Sequence, residues 1–77
     1  MIMPMASQTR KKLAKRIKHF RVQSGLTQEQ FAEKVGIKYK YYQEYEGQKP
    51  RDIRISTLEK IAGGLKIPLW KLLQFKD

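Results

Sequence analysis

The sequence predicts an all-α protein built from five short helices around one shared core. Apolar residues recur at helical spacing, capping residues and glycines separate the apolar segments, and no stretch shows the alternation of a half-buried strand. The 77 residues suffice for one domain, and a hydrophobic content of 40% suffices for a small core. We therefore expect a single helical domain over residues 9–77, preceded by a flexible arm over residues 1–8.

The first two helices are defined by their apolar spacing and their end signals. The first helix is predicted over residues 9–24 and closes with a glycine. Its large apolar residues share one face: Leu13, Ile17 and Phe20. The second helix is predicted over residues 28–35. A capping box precedes it and a glycine follows it, formed by Thr27, Gln30 and Gly36.

The third helix is predicted over residues 38–46, with Tyr42 and Tyr45 turned toward the core. Two short helices joined by a tight turn at a steep angle are the arrangement of a helix-turn-helix. Ala32 lies where the second and third helices would approach most closely, and Gly36 lies where a positive φ disfavours residues with a Cβ atom. The alternative is an ordinary helical hairpin, but the caps, the helix lengths and the positive charge favour a DNA-binding unit.

The last two helices follow a polar loop at residues 47–52. The fourth helix is predicted to begin at a second capping box, Ser56 to Glu59. Its inward residues are Leu58, Ile61, Ala62 and Leu65. Pro68 suits the first turn of the fifth helix. The apolar residues of that helix are Leu69, Leu72 and Leu73.

The charge of the chain is strongly positive and unevenly distributed. There are 17 Lys and Arg residues against 7 Asp and Glu residues, a formal net charge of +10, and residues 1–28 contain seven basic residues and no acidic one. Like charges four residues apart, such as Lys11 and Lys15, repel each other on a helix. A solvated helix face is the alternative, but the uncompensated block favours a surface that faces a polyanion.

Composition excludes several other classes of function. The chain contains no cysteine and one histidine, His19, so we expect no disulfide, no metal site and no cofactor. No spacing joins a nucleophile, a base and an orienting group, so no catalytic residue and no enzyme activity are predicted. No apolar run reaches the roughly 20 residues of a membrane helix, and no signal peptide is recognisable. We therefore expect a cytoplasmic protein without a membrane partner.

The run from Arg21 to Ile37, with Tyr45-Glu46-Gly47 and residues 58–62, resembles the helix-turn-helix domains of Cro and the phage repressors, also called the Xre family. The resemblance spans about residues 10–74. It implies a lambda-repressor-like fold whose second and third helices form the motif. It also implies a bacterial or phage-type transcriptional regulator that binds double-stranded DNA as a symmetric dimer.

The resemblance also implies roles for single residues. Gln28 matches a glutamine that contacts the DNA backbone, and Arg21 and Glu46 match a charge pair that ties the first helix to the end of the third. The outward positions of the third helix, which face base edges, are Tyr39, Lys40 and Glu44, with Gln43 adjacent to them. This chain differs from the common pattern in having Lys38 in place of Ser or Thr, Tyr42 and Tyr45 in place of Ile or Val, and a loop about one residue longer.

The third helix carries its charges in the order opposite to that favoured by its dipole. Lys38 and Lys40 lie in the first turn, whereas Glu44 and Glu46 lie near the end. A phosphate at the helix start would be attracted by the free amides and both ammonium groups, so we predict a backbone contact from Lys38 or Lys40. Lys40 could instead reach a guanine edge. The basic residues of the next loop are also predicted to contact phosphates, with an ordinary polar loop as the alternative: Lys49, Arg51 and Arg54.

Two apolar residues near the C-terminus remain after the core is assigned. We expect Phe75 to complete the core and Trp70 to form the dimer contact, because one helix-turn-helix reads only a few base pairs and dimers span half-sites about 34 Å apart. The leading function is sequence-specific DNA binding by a small repressor or controller. The alternative is an antitoxin-like interaction protein that binds a partner protein and regulates its own promoter. A membrane or RNA binder is disfavoured, since the apolar stripe of the first helix is narrow.

Overall fold

The computed structural model describes the backbone of residues 5–75 and the side chains of residues 8–75, and this part of the chain contains helices and no strand. The helices are α1 Met5–Gln23, α2 Gln28–Val35, α3 Tyr39–Tyr45, α4 Ile55–Leu65 and α5 Leu69–Leu72. The predicted all-α class and the five helices are confirmed. None of these described helices has the length and apolar character needed to cross a membrane.

The first helix begins earlier than predicted. It starts at Met5, inside the expected arm of residues 1–8, of which residues 1–4 lie outside the described residues. Methionine, alanine and glutamine all favour helix, and no turn residue separates residues 5–8 from the apolar stripe. The helix ends at Gln23, and Gly25 follows with a positive φ of 80°. The apolar spacing therefore predicts the first helix but not the residue at which it begins.

All five helices contribute to one core. Its buried side chains are Leu13 and Ile17 from α1, Phe31 and Ala32 from α2, Tyr42 from α3, Leu58, Ile61 and Ala62 from α4, and Leu72 from α5. Phe75 packs against this core as predicted, whereas Leu73 is exposed because the single turn of α5 turns only Leu72 fully inward. Arg16 fastens α5 to α1, since its guanidinium donates to the Lys71 carbonyl at 2.9 Å.

The turn between α2 and α3 forms as its sequence signals predict. In the capping box, the Gln30 amide nitrogen donates to Thr27 Oγ1 at 3.1 Å, and the Thr27 amide nitrogen donates to Gln30 Oε1 at 2.9 Å. Gly36 has a φ of 74°, and the next amide, that of Ile37, donates to the Ala32 carbonyl at 2.9 Å. These bonds end α2 and let the chain reverse tightly into α3.

The predicted capping box of α4 is wrong. The N-cap is Arg54, whose carbonyl accepts from the Leu58 amide at 2.9 Å, so Ser56 lies within the first turn instead of preceding it. Arginine has no side-chain acceptor for the free amides of a helix start. Ile53 packs against the core immediately before the helix. We attribute the earlier start to this packing, because it fixes the chain one residue before the N-cap.

The two adjacent glycines of α4 have different surroundings. A Cβ atom at Gly64 would collide with Val35 and lie 3.2 Å from the Phe31 ring, whereas a Cβ atom at Gly63 would meet open space among the described residues. Gly64 therefore permits the close approach of α4 to α2, and thereby to the helix-turn-helix. Gly63 has no such packing role.

We expect Gly64→Ala and Gly63→Ala to change stability in opposite directions. Alanine favours helix over glycine by about 1 kcal/mol, so Gly63→Ala should stabilise the fold by up to that amount. At Gly64 the collision should cost about 1–3 kcal/mol, which exceeds the gain in helix propensity. Thermal unfolding followed by circular dichroism would measure both shifts. Equal stabilisation by the two variants would contradict the close contact.

Candidate nucleic-acid interface

The outer face of α3 consists of polar and aromatic side chains directed away from the core. The four residues predicted to face bases are all exposed: Tyr39, Lys40, Gln43 and Glu44. Tyr42 points in the opposite direction and is 0% exposed, with its ring centroid 5.4 Å from that of Phe31. Tyr45, also predicted to point inward, is half-buried against the core. The two tyrosines thus anchor the helix and leave a polar face available for contact.

The start of α3 is positively charged and lacks a side chain that could cap it. Lys38 occupies the N-cap position, and lysine offers no acceptor to the free amides of the first turn. Lys40 follows within that turn, while the last turn contains no basic residue. Free amides, the helix dipole and two ammonium groups therefore favour an anion at this end of the helix.

Tyr41 organises the basic side chains beside this face. The Arg51 guanidinium stacks over the Tyr41 ring at 4.7 Å from its centroid, and Lys40 Nζ lies 5.9 Å from the same centroid. Sequence reasoning missed Tyr41 because the only available signal was its place beside the buried Tyr42, which does not reveal how the distant loop folds back. The structure thus places Arg51 against the outer face of α3.

Arg51 also pairs with a residue predicted to face bases. Its Nε lies 3.3 Å from Glu44 Oε1, and both side chains are substantially exposed. Exposed ion pairs are typically worth about 0–1 kcal/mol, so a phosphate can displace Glu44 from Arg51 at little cost. The other two basic loop residues, Lys49 and Arg54, are also exposed. Asp52 joins the loop to α1 through Arg10, whose guanidinium lies 2.7 Å from the Asp52 carboxylate.

The predicted pair of Arg21 and Glu46 forms the centre of a larger buried cluster. Arg21 donates from Nε and from one terminal nitrogen to the two Glu46 oxygens at 2.8 Å and 3.0 Å, and from its other terminal nitrogen to the Leu26 carbonyl at 2.8 Å. Gln28 Nε2 donates to Glu46 at 3.0 Å, and the Tyr42 hydroxyl makes a further short hydrogen bond to it. The Glu46 side chain is 0% exposed and that of Arg21 is 11% exposed.

The pKa values in this cluster follow from burial and from these hydrogen bonds. Burial alone would raise the pKa of Glu46, but the bonds from Arg21, Gln28 and Tyr42 outweigh it and hold the pKa below its ordinary value. Burial, together with the adjacent carboxylate, raises the pKa of Tyr42. The hydrogen bond to Glu46 raises the pKa of Arg21 despite burial. The carboxylate and guanidinium therefore remain ionised, and the phenol remains a donor.

The cluster gives Gln28 a structural role that the sequence did not reveal. One amide hydrogen of Gln28 is directed at Glu46, while its second hydrogen and its carbonyl oxygen remain for other partners. Gln28 is also the first residue of α2, where helix amides are free to bind an anion. The predicted phosphate role and the bond to Glu46 are therefore compatible in geometry.

Trp70, the predicted dimer contact, lies at the surface of α5. It is 62% exposed, and Leu73, three residues later, is 41% exposed. Leu73 is the C-cap residue of α5, and its amide donates to the Trp70 carbonyl at 3.1 Å, so these two exposed apolar residues are neighbours and form a small apolar patch. Val22 on α1 and Ile55 on α4 are the other strongly exposed aliphatic residues of the described chain.

The tight turn, the anchored α3 and its exposed polar face together define a helix-turn-helix DNA-binding domain. The family model for helix-turn-helix proteins of the Cro/C1 type, HTH_3, matches residues 17–69, and the chain belongs to this family. A hypothetical transcription factor from Neisseria, NHTF, is similar in crystal structure, with 33% identity, a TM-score of 0.81 and coverage of 87% of this chain and 74% of that one. Among curated proteins no match was found.

Family and structural neighbour together identify the class of function. The protein is a DNA-binding regulator and not an enzyme. This agrees with the prediction from the residues and from the resemblance.

Glu46→Gln should destabilise the fold most strongly near neutral pH. Removing one charge from a buried pair costs about 3–5 kcal/mol. The glutamine amide can still make some of the hydrogen bonds, which should reduce the cost to about 2–3 kcal/mol. Because the folded-state pKa of Glu46 lies below its ordinary value of 4.5, its contribution is complete above that pH. The contribution is lost as the pH falls through the lower folded-state value.

Urea unfolding of the wild-type protein and of Glu46→Gln, from neutral to acid pH, would measure the difference in their free energies of unfolding. The exposed Glu59→Gln on α4 is the matched control, for which we expect a change within about 0.5 kcal/mol. A destabilisation by Glu46→Gln that stayed constant down to the acid limit would contradict the ionised cluster.

Proposed function

We propose that this regulator binds a specific double-stranded DNA sequence as a homodimer in the cytoplasm, with α3 in the major groove, and acts as a small repressor or controller. The observation that carries the proposal is the exposed polar face of α3, held in place by the buried Tyr42 and by the Glu46 cluster. A helix held in this way can present side chains to base edges with little loss of conformational freedom on binding.

The residues of the α3 face suit direct readout of bases. The Gln43 amide matches the paired donor and acceptor of adenine, Lys40 matches the acceptors of guanine, and Glu44 matches the amino group of cytosine. Tyr39 extends this face at the start of the helix. These four residues would carry the choice of sequence, because contacts to phosphates are independent of sequence.

The basic residues around this face suit the two DNA backbones. Lys38 and the first amides of α2 beside Gln28 would contact one part of the backbone, and the loop residues another. The proposed phosphate contacts in the loop are Lys49, Arg51 and Arg54. Arg51 would exchange Glu44 for a phosphate, because the exposed ion pair is weak.

In vitro selection from random duplex DNA tests the proposal directly. We expect enrichment of a palindromic motif at moderate salt. Gln43→Ala should relax the base preference at one position in each half-site and cost about 1–3 kcal/mol there. Lys38→Ala should instead weaken all sequences alike and reduce the slope of log affinity against log salt by about 0.9 per protomer, or about 1.8 for a bound dimer. Selection without enrichment would overturn sequence-specific recognition.

The proposed dimer contact predicts the effect of a charge at Trp70. Trp70→Glu should convert a dimer into a monomer, because it places an uncompensated carboxylate in an apolar contact. Sedimentation across the micromolar range would measure this, and affinity for the palindrome should fall toward that for one half-site. Val22→Glu, at another exposed apolar residue, should leave the dimer intact. A wild-type protein that is monomeric at high micromolar concentration would exclude the dimer proposal.

An antitoxin-like interaction protein remains the second candidate. The exposed pair of Trp70 and Leu73 supports it, since the same apolar patch could receive a partner protein. In that case the protein would bind DNA chiefly to regulate its own promoter. A monomeric protein whose Trp70 side chain is shielded from solvent only in the presence of a partner protein would favour this candidate over the dimer.

A further inference from the structure

An open groove runs between α1 and the loop that follows α3. It has a volume of about 520 Å³; one wall consists of Lys11, Lys15 and Lys18 of α1, and the other of residues 46–49. The three α1 lysines fall on one side of the helix because they are four and then three residues apart. Lys49 contributes a fourth ammonium group from the loop. The groove therefore has a basic residue on both walls.

The groove carries an unbalanced positive charge. Within the described residues 5–75, none of these four lysines forms an ion pair with a carboxylate. Glu46 is the acidic residue of the lining, but its carboxylate is fully buried and bound to Arg21 on the inner side. The lining thus presents about four positive charges to solvent. Like charges at this helical spacing repel each other, and an anion in the groove would offset that repulsion.

The three lysines of α1 form an extended row. A helix rises 1.5 Å per residue, so Lys11 and Lys18 are about 10 Å apart along α1. A row of three ammonium groups over that length suits a polymer of phosphates better than one small anion.

The groove is continuous with the proposed DNA-contacting surface. Its loop wall begins at Glu46, the residue directly after α3, and includes Lys49, one of the proposed phosphate contacts. The groove therefore adjoins the end of α3 and shares Lys49 with the proposed phosphate contacts. This continuity favours the same duplex over a separate ligand.

We propose that the groove binds the phosphate backbone of the duplex beyond the base pairs that α3 contacts, so that the DNA footprint extends onto α1. The inference rests on the proposed function, because it assumes a duplex seated against α3. It assigns Lys11, Lys15 and Lys18 to affinity and salt dependence, and not to the choice of sequence.

The test compares two double variants with the same loss of charge. Lys15→Ala/Lys18→Ala alters the groove, whereas Lys34→Ala/Lys60→Ala removes two exposed lysines from α2 and α4. Alanine favours helix at all four positions, and thermal melting verifies that both variants fold. On a duplex of about 30 base pairs, the groove variant should reduce the salt slope by about 0.9 per lysine, or about 3.6 for a bound dimer that lacks four of them, with unchanged base preference. A slope equal to that of the control variant would overturn the proposal.

Varying the length of the duplex tests whether the groove binds the duplex that α3 contacts or a different anion. On DNA trimmed to the base pairs contacted by α3, the groove variant and the control variant should bind with equal slopes, because the flanking phosphates are absent. An equal loss on short and long DNA would overturn the flanking contact. The flanking contact would also be overturned if the groove variant bound a single duplex with an unchanged slope but no longer bridged two duplexes, as measured by light scattering.

The result is distinguishable from failure of the proposed function. If selection yields no preferred sequence, recognition by α3 fails, yet the slope comparison still reports whether the groove contacts a generic duplex. If selection succeeds and the slopes are equal, the regulator reads its sequence without α1.

Discussion

The position of α3 depends on one buried carboxylate. Glu46 accepts hydrogen bonds from Arg21 on α1, Gln28 at the start of α2 and Tyr42 on α3, and Arg21 also holds the Leu26 carbonyl before α2. Glu46 is itself the C-cap of α3. A buried ion pair is costly to desolvate and adds little net stability, but it becomes destabilising as soon as one partner is lost. We infer that its value lies in fixing the angle between the two motif helices.

This constraint matters because α3 has little stability of its own. It spans seven residues, follows an N-cap lysine whose side chain cannot cap it, and carries its charges against its dipole. Isolated helices of this length do not persist in water, so tertiary contacts must hold it. Burial of Tyr42 against Phe31 supplies the apolar contact, and its hydroxyl joins the Glu46 cluster. The positive helix start, a local cost, is therefore maintained by the core and remains available to an anion.

Local signals predicted much of this fold, while contacts between distant residues did not follow from them. Thr27, Gln30 and Gly36 define α2 through bonds within a few residues, so its bounds could be read directly from the sequence. The pair of Arg21 and Glu46 came from the family resemblance. The hydrogen bonds from Gln28 and Tyr42 to Glu46 depend on how three helices meet. The stacking of Arg51 on Tyr41 depends on the path of a loop. No periodicity encodes either arrangement.

Arg51 shows why residues of a binding face cannot be assigned one at a time. In the free protein it balances Glu44 and rests on Tyr41, which keeps the acidic residue from repelling an approaching duplex. A phosphate that captures Arg51 would release Glu44 beside the bases, where an acceptor matches the cytosine amino group. Against any other base edge lacking that donor, the released carboxylate would remain unpaired near phosphates. On the proposed binding mode, one loop arginine thus couples backbone contact to base discrimination, and the cost of a wrong base arises only after the backbone is engaged.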